Sequence, residues 1–382
     1  MDRDSLRVSN LTGAAAAIAS GVGRRDFLKI CSLAAAAVGL PASAAEKMAA
    51  RVALPKKPSV IWLQFQECTG CTESLLRTSH PGAAELILDL ISLDYSETLM
   101  AAAGHQAEKS LADAVKENDG KFVLVVEGAI PVKDGGIYCK IAGRTALDIV
   151  KDVASHAGAV IAIGSCASWG GIPSADPNPT GATGVGDVVK GKPLVTIPGC
   201  PANPYNLLGV VLQYATFGTL PELDAKLRPK FAYGRVIHDD CPRRAHFDAG
   251  RFAQRYGDEG SRQGWCLYKM GCKGPRTHAN CSLLNFGEVI GAWPIGIGAQ
   301  CFGCTEKELA FRVPMFQTVE PEQLGPPGMY PSVAAQHGEV SPVATGLAGI
   351  AIGAAVGAGI AMTRKLGHQP PEPPAKDGGE EK

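Results

Sequence analysis

Four short, almost unbroken apolar runs punctuate the first half of the chain: Val60–Gln64, Phe122–Val126, Val160–Ile163 and Leu194–Ile197. Runs of this length without polar alternation suit strands covered on both faces, the usual condition of a parallel sheet. Between them, Thr145–Ala154 and Pro204–Thr216 space their apolar residues as helices do. Strand-like and helix-like segments alternate, so the pattern predicts an open, doubly wound α/β sheet. In that architecture sites form at the carboxyl ends of strands. After about Phe231 the periodicity fades, and Gly, Pro, Cys and charged residues dominate as far as Pro314. A region that buries little apolar surface needs another source of cohesion, and bound metal centres supply it because metal binding is then folding energy. No internal repeat is present.

Both ends of the chain carry a different kind of pattern. Gly23-Arg24-Arg25-Asp26-Phe27-Leu28-Lys29 precedes an apolar run from Ile30 to Leu40, and small residues follow at Ala42-Ser43-Ala44-Ala45. This reads as a twin-arginine export signal over residues 1–45, with cleavage near Ala44. At the other end, Val343–Met362 is a 20-residue uncharged stretch. As a helix it is about 30 Å long, enough to cross a bilayer's hydrocarbon core. Gly349, Gly353 and Gly357 give it a smooth face for a partner helix, and Arg364 and Lys365 favour a cytoplasmic tail over residues 363–382. Residues 315–342, rich in proline, read as a linker to this C-terminal transmembrane helix. The expected location is the periplasmic face of the cytoplasmic membrane.

The 37 basic and 37 acidic residues cancel, and no charge field marks a nucleic-acid partner. The 12 cysteines change the picture more. In an exported protein they would ordinarily be read as disulfides. Removal of Cys31 with the signal leaves an odd number, however, and the twin-arginine route carries folded proteins already loaded with cofactor. Three cysteine loops also follow predicted strands: Cys68-Thr69-Gly70-Cys71, Gly164-Ser165-Cys166 and Pro198-Gly199-Cys200-Pro201. Three strands thus deliver four thiolates, Cys68, Cys71, Cys166 and Cys200, to one sheet edge. One close pair with two distant single cysteines fits an iron–sulfur cluster better than structural zinc, which usually takes two close pairs.

A second set comprises His238, Cys241, Cys266 and Cys272. By ligand type it suits zinc as well as iron–sulfur, and a histidine ligand tends to raise a cluster's potential. A third set offers only Cys281, Cys301 and Cys304. Three thiolates suit a 3Fe–4S cluster, or a 4Fe–4S cluster with a further ligand, and spacing does not separate the two.

In combination, several segments closely resemble the small subunit of membrane-bound nickel–iron uptake hydrogenases, nearest the hydrogenase-2 type. They are Arg24–Lys29, Glu67–Ser74, Asn178–Gly181, Ile197–Pro201, His246–Phe252 and Gly264–Tyr268. The resemblance covers nearly the whole chain. It implies a flavodoxin-like domain over residues 46–230 and an irregular cluster-binding domain over 231–314. The first set would hold a proximal 4Fe–4S cluster, the second a distal 4Fe–4S cluster and the third a medial 3Fe–4S cluster. Pro294 matches a proline that stands in the family where a fourth medial cysteine would be. The nickel–iron centre belongs to a separate large subunit, so this chain holds no catalytic residue of its own. Glu73 matches a glutamate at the subunit interface, on a proton path in one reading and a helix-start carboxylate in the other.

The resemblance also implies electron relay from hydrogen oxidation toward the membrane quinone pool. The membrane partner would be a quinone-reactive subunit or b-type cytochrome, with or without a ferredoxin-like subunit. Gly70 and Gly171 stand where oxygen-tolerant relatives add cysteines, so an ordinary, oxygen-sensitive proximal cluster is expected. Cys139 has no ligand role in the pattern and reads as a buried thiol. Two other functions compete: the related quinone-reductase subunit of respiratory complex I, and a zinc- or disulfide-stapled exported binding protein.

Overall fold

A computed structural model describes residues 32, 35, 41–52, 57–79, 81–286 and 289–322. The twin arginines, Val343–Met362 with its glycine face, and the C-terminal tail lie outside the described residues. Among the described residues no helix is long and apolar enough to cross a membrane.

Five parallel strands form the central sheet: β1 (Ser59–Gln64), β2 (Ser92–Ser96), β3 (Val123–Glu127), β4 (Ala159–Ile163) and β5 (Leu194–Ile197). Their spatial order is 2-1-3-4-5, the order also found in flavodoxin. Side chains alternate between two buried faces, as the period of 2 requires. Ile61, Leu63, Leu124, Val126, Val160 and Ala162 point to one core. Val60, Trp62, Val123, Val125, Ile161 and Ile163 point to the other.

The helices are α1 (Ala42–Val52), α2 (Gly70–Leu76), α3 (His105–Glu117), α4 (Ala146–His156), α5 (Gly164–Trp169) and α6 (Pro204–Phe217), with shorter turns between. Leu111 and Ala114 of α3, and Ile149, Val150 and Val153 of α4, cover the first face. Leu207, Leu208 and Val211 of α6 cover the second, joined by Ala44, Ala45 and Met48 of α1. The helix α1 therefore runs across the expected cleavage point near Ala44. Caps fix two of the starts: Thr145 accepts from the Asp148 amide before α4, and Asn203 from the Tyr205 amide before α6.

Two features depart from the sequence pattern. The edge strand β2 lacks an apolar run, and Asp94 within it is engaged by the hydroxyls of Ser59 and Ser92 and by Asn118. The region after Phe231 also has an apolar interior. Tyr233, Ile237, Leu267, Met270, Trp293 and Ile295 are buried in the same core as the second sheet face. They come from turns, loops and single-turn helical segments, so they share a core without sharing a period.

Candidate metal centres

Parallel register lines up the carboxyl ends of four strands: Gln64 pairs with Glu127, Glu127 with Ile163, and Ile163 with Ile197. The first set of cysteines emerges just beyond this row. Cys68 follows β1 and Cys71 lies in the first turn of α2. Cys166 lies in the first turn of α5, and Cys200 follows β5. Glycine lets the loops close on the sulfurs. Gly164 has φ +81°, and a Cβ there would stand 2.6 Å from the Cys71 Sγ. At Gly171, with φ +50°, a Cβ would stand 2.7 Å from the Cys166 Sγ. Burial first of all raises the thiols of Cys71, Cys166 and Cys200, and like charge adds to it: Cys166 and Cys200 act on Cys71, Cys200 and Cys68 on Cys166, and Cys68 on Cys200.

Beneath this set lies Glu127, 2% exposed. Its carboxylate accepts from the Cys71 amide at 2.9 Å, the Thr72 hydroxyl at 2.6 Å and the Trp62 indole at 3.1 Å. It anchors the start of α2 and so the position of Cys71. Glu73, on the same helix, is exposed and lies 3.5 Å from Arg77.

In the second set, Cys241, Cys266 and Cys272 are buried together, and after burial itself the charge of Cys272 raises the thiols of Cys241 and Cys266, with Cys241 also acting on Cys266. His238 is 3% exposed, and its Nε2 is buried without a hydrogen-bond partner. Burial and the Arg244 guanidinium push its pKa down to about 4, which keeps the imidazole neutral near pH 7, the form that binds metal. Phe247 meets the His238 ring edge-on at 4.5 Å and contacts Phe252 and Tyr268 in turn. The segments His246–Phe252 and Gly264–Tyr268 thereby supply the aromatic rings that back His238.

The third set lines a cavity of about 60 Å³ with Cys281, Cys301, Cys304 and Pro294 on its walls. Cys200 of the first set lines it too. The Ser165 hydroxyl, next to Cys166, donates to the Cys304 carbonyl at 2.6 Å. On the other side, the backbone amide of Lys273, next to Cys272 of the second set, donates to the Cys301 carbonyl at 2.7 Å. The third set therefore stands between the first and the second.

The residues suit a cofactor that is positively charged at its metal atoms. Burial, first of all, pushes the thiols of Cys166, Cys241, Cys266 and Cys281 up to about 12, and Cys301 and Cys304 are raised for the same reason. Dry, crowded sulfurs ionise only against a compensating positive centre. All eleven cysteines among the described residues are free thiols. Among those residues no three His, Cys, Asp or Glu side chains converge as ligands of a single ion would. Cys139 is half-buried on the opposite sheet face, in the other core.

Two buried charges brace the third set. Glu306 is 3% exposed and accepts from Arg228 at 2.7 Å, Lys226 at 2.6 Å and the His278 amide at 2.9 Å. Burial alone would raise its pKa, but His278, Arg228 and Lys226 override it and hold the carboxyl at about 2. Lys273 is fully buried beside Cys272, and its backbone amide donates to the Cys301 carbonyl at 2.7 Å. Glu127, Glu306 and Lys273 escape a reading of the sequence, where each looks like an ordinary strand-end or loop charge.

Residues 68–214 match the family model described as NADH ubiquinone oxidoreductase, 20 kDa subunit. Residues 233–317 match the model for the C-terminal region of the NiFe/NiFeSe hydrogenase small subunit. The chain is 49% identical over 361 residues to the hydrogenase-2 small chain of Escherichia coli K12, spanning 94% of this chain and 97% of that one. It is 48% identical over 290 residues to the periplasmic NiFe hydrogenase small subunit 1 of Nitratidesulfovibrio vulgaris, covering 75% and 90% respectively. Among solved structures, the reduced, active NiFeSe hydrogenase of Desulfomicrobium baculatum superposes with a TM-score of 0.64 at 35% identity, over 69% of this chain and all of that one.

Proposed function

The chain belongs to the small subunits of nickel–iron hydrogenases, and from that premise we propose that it is a three-cluster electron relay. It serves a hydrogen:acceptor oxidoreductase whose nickel–iron centre sits in a separate large subunit. Cys68, Cys71, Cys166 and Cys200 hold a proximal 4Fe–4S cluster. Cys281, Cys301 and Cys304 hold a medial 3Fe–4S cluster, with Pro294 in place of a fourth ligand. His238, Cys241, Cys266 and Cys272 hold a distal 4Fe–4S cluster. The observation that carries this reading is the double approach of the third set, to Cys200 on one side and, through the Lys273 amide, to the residue after Cys272 on the other. That approach turns three separate sites into one line.

When bound, the clusters supply one-electron oxidation and reduction. The protein's own part is to hold, order and shield them. Strand ends and glycines fix the first set, and Glu127 fixes Cys71 from below. Amides point at the sulfurs: Ala202 N–H lies 3.5 Å from Cys71 Sγ, and Gly303 N–H lies 3.4 Å from Cys301 Sγ. Neutral His238 offers nitrogen to the outermost site. The exported, membrane-anchored location and a quinone-reactive or cytochrome partner belong to the same proposal. Their support is the twin-arginine pattern and the uncharged stretch Val343–Met362.

Low-temperature EPR with iron and sulfide analysis on anaerobically purified protein tests the relay. An oxidised three-iron signal near g = 2, with about eleven irons per chain, is expected from two 4Fe–4S clusters and one 3Fe–4S cluster. A colourless, zinc-containing or metal-free protein would overturn it.

A further inference from the structure

Lys273 has an unusual setting for a cation. Its side chain is 0% exposed, and Nζ lies among four backbone carbonyls: Gly271 at 2.9 Å, Pro314 and Met315 at 3.0 Å, and Gln317 at 3.1 Å. A neutral amine has two hydrogens and would turn a lone pair toward carbonyl oxygens. Four acceptors with no donor select the ammonium, which has three hydrogens and no lone pair. No carboxylate is among these four partners, so local dipoles rather than a counter-ion solvate the charge.

The position of that charge is equally specific. Lys273 follows Cys272 of the second set directly, and its amide holds the carbonyl of Cys301 in the third. Burial lowers the pKa of this side chain, and the nearby Cys301 and Cys272 thiols act against that lowering. The residue thus occupies the junction between the two sets. It also fastens residues 314–317, the start of the expected linker. Gly271 permits this, since a Cβ there would stand 2.5 Å from the Met315 oxygen.

We propose that Lys273 is a positioning and tuning residue, a fixed positive charge between the medial and distal clusters that makes both easier to reduce. The inference rests on the three-cluster reading. Reduction adds a negative charge to a cluster, and a buried cation nearby stabilises the reduced form more than the oxidised one. Little water is present to screen it, and net charge and hydrogen bonding are among the protein's levers on cluster potential.

The test uses the anaerobically purified complex with its large subunit, carrying Lys273→Met, Lys273→Gln or Lys273→Arg. EPR-monitored redox titration reads the potential of each cluster, independently of hydrogenase activity. The two neutral variants should lower the reduced-to-oxidised ratio of the three-iron cluster about tenfold at a given poise, or about 59 mV for one electron. The distal cluster should shift the same way, and Lys273→Arg should stay within about twofold of wild type. Unshifted potentials in the neutral variants, or an equal shift in Lys273→Arg, would overturn the proposal. Loss of iron from both neutral variants would make Lys273 a folding residue only and overturn it as well. A wild-type complex without the three-iron signal would instead remove the relay on which the proposal rests.

Discussion

Glu306→Gln should weaken the fold by about 3 kcal/mol and do so in a pH-dependent way. The carboxyl sits at about 2 in the folded chain against an ordinary value of 4.5. At about 1.4 kcal/mol per pKa unit, that depression amounts to roughly 3.4 kcal/mol at pH 7. The glutamine variant also takes from Arg228, 4% exposed, one of its two carboxylate partners at 2.7 Å, leaving only Asp224. Removing one partner of a buried pair costs about 3–5 kcal/mol, so the two figures agree. With an unfolding entropy of about 2.1 cal/mol/K per residue over a body of about 280 residues, the expected fall in Tm is about 6 °C. Because the folded pKa is depressed, the stabilisation is complete above about pH 5 and disappears as pH falls through the folded value. It should drop to about 2.6 kcal/mol at pH 4 and about 1.4 kcal/mol at pH 3. Scanning fluorimetry of wild type and variant, side by side from pH 7 to pH 3, measures the difference directly. A gap of less than about 1 °C at pH 7, or one that stays constant to pH 3, would refute the account.

Three other outcomes follow from the same geometry. Gly171→Ala should cost the protein its proximal cluster, about four irons per chain by analysis, because the new Cβ meets Cys166 within 2.8 Å and alanine is strained at φ +50° by about 1–2 kcal/mol. His238→Ala should lose iron from the distal site while the oxidised three-iron EPR signal persists, since the third set does not use that residue. Hydrogen oxidation by the purified complex should fail in air, Gly70 and Gly171 providing no extra sulfur; sustained turnover in air would contradict this.

Much of the sheet was legible because both its faces are buried. β1, β3, β4 and β5 announce themselves as apolar runs, and β5 spans Leu194–Ile197 as expected. The cysteine loops were legible for a related reason, since a parallel strand must end in a loop at the same edge. β2 was missed because an edge strand with Ser92 and Asp94 satisfies its polar side chains locally and has only β1 as a neighbour. Glu127 was missed because a glutamate after four apolar residues looks like a strand leaving the core. Only the fold brings the Cys71 amide and the Trp62 indole to it. Lys273 and Glu306 were hidden likewise, since the partners that make burial tolerable lie from 2 to 80 residues away. The apolar interior after Phe231 was hidden because irregular backbone presents Trp293 and Ile295 without any repeat for the eye to follow.

The medial cavity has walls from distant parts of the chain: Pro198–Pro201 at the end of β5, and Cys281, Pro294, Cys301 and Cys304 about a hundred residues later. Such a chamber does not exist until the later segment has docked on the finished sheet. The first and second sets each draw their cysteines from one stretch of chain, whereas this cavity needs two stretches packed against each other.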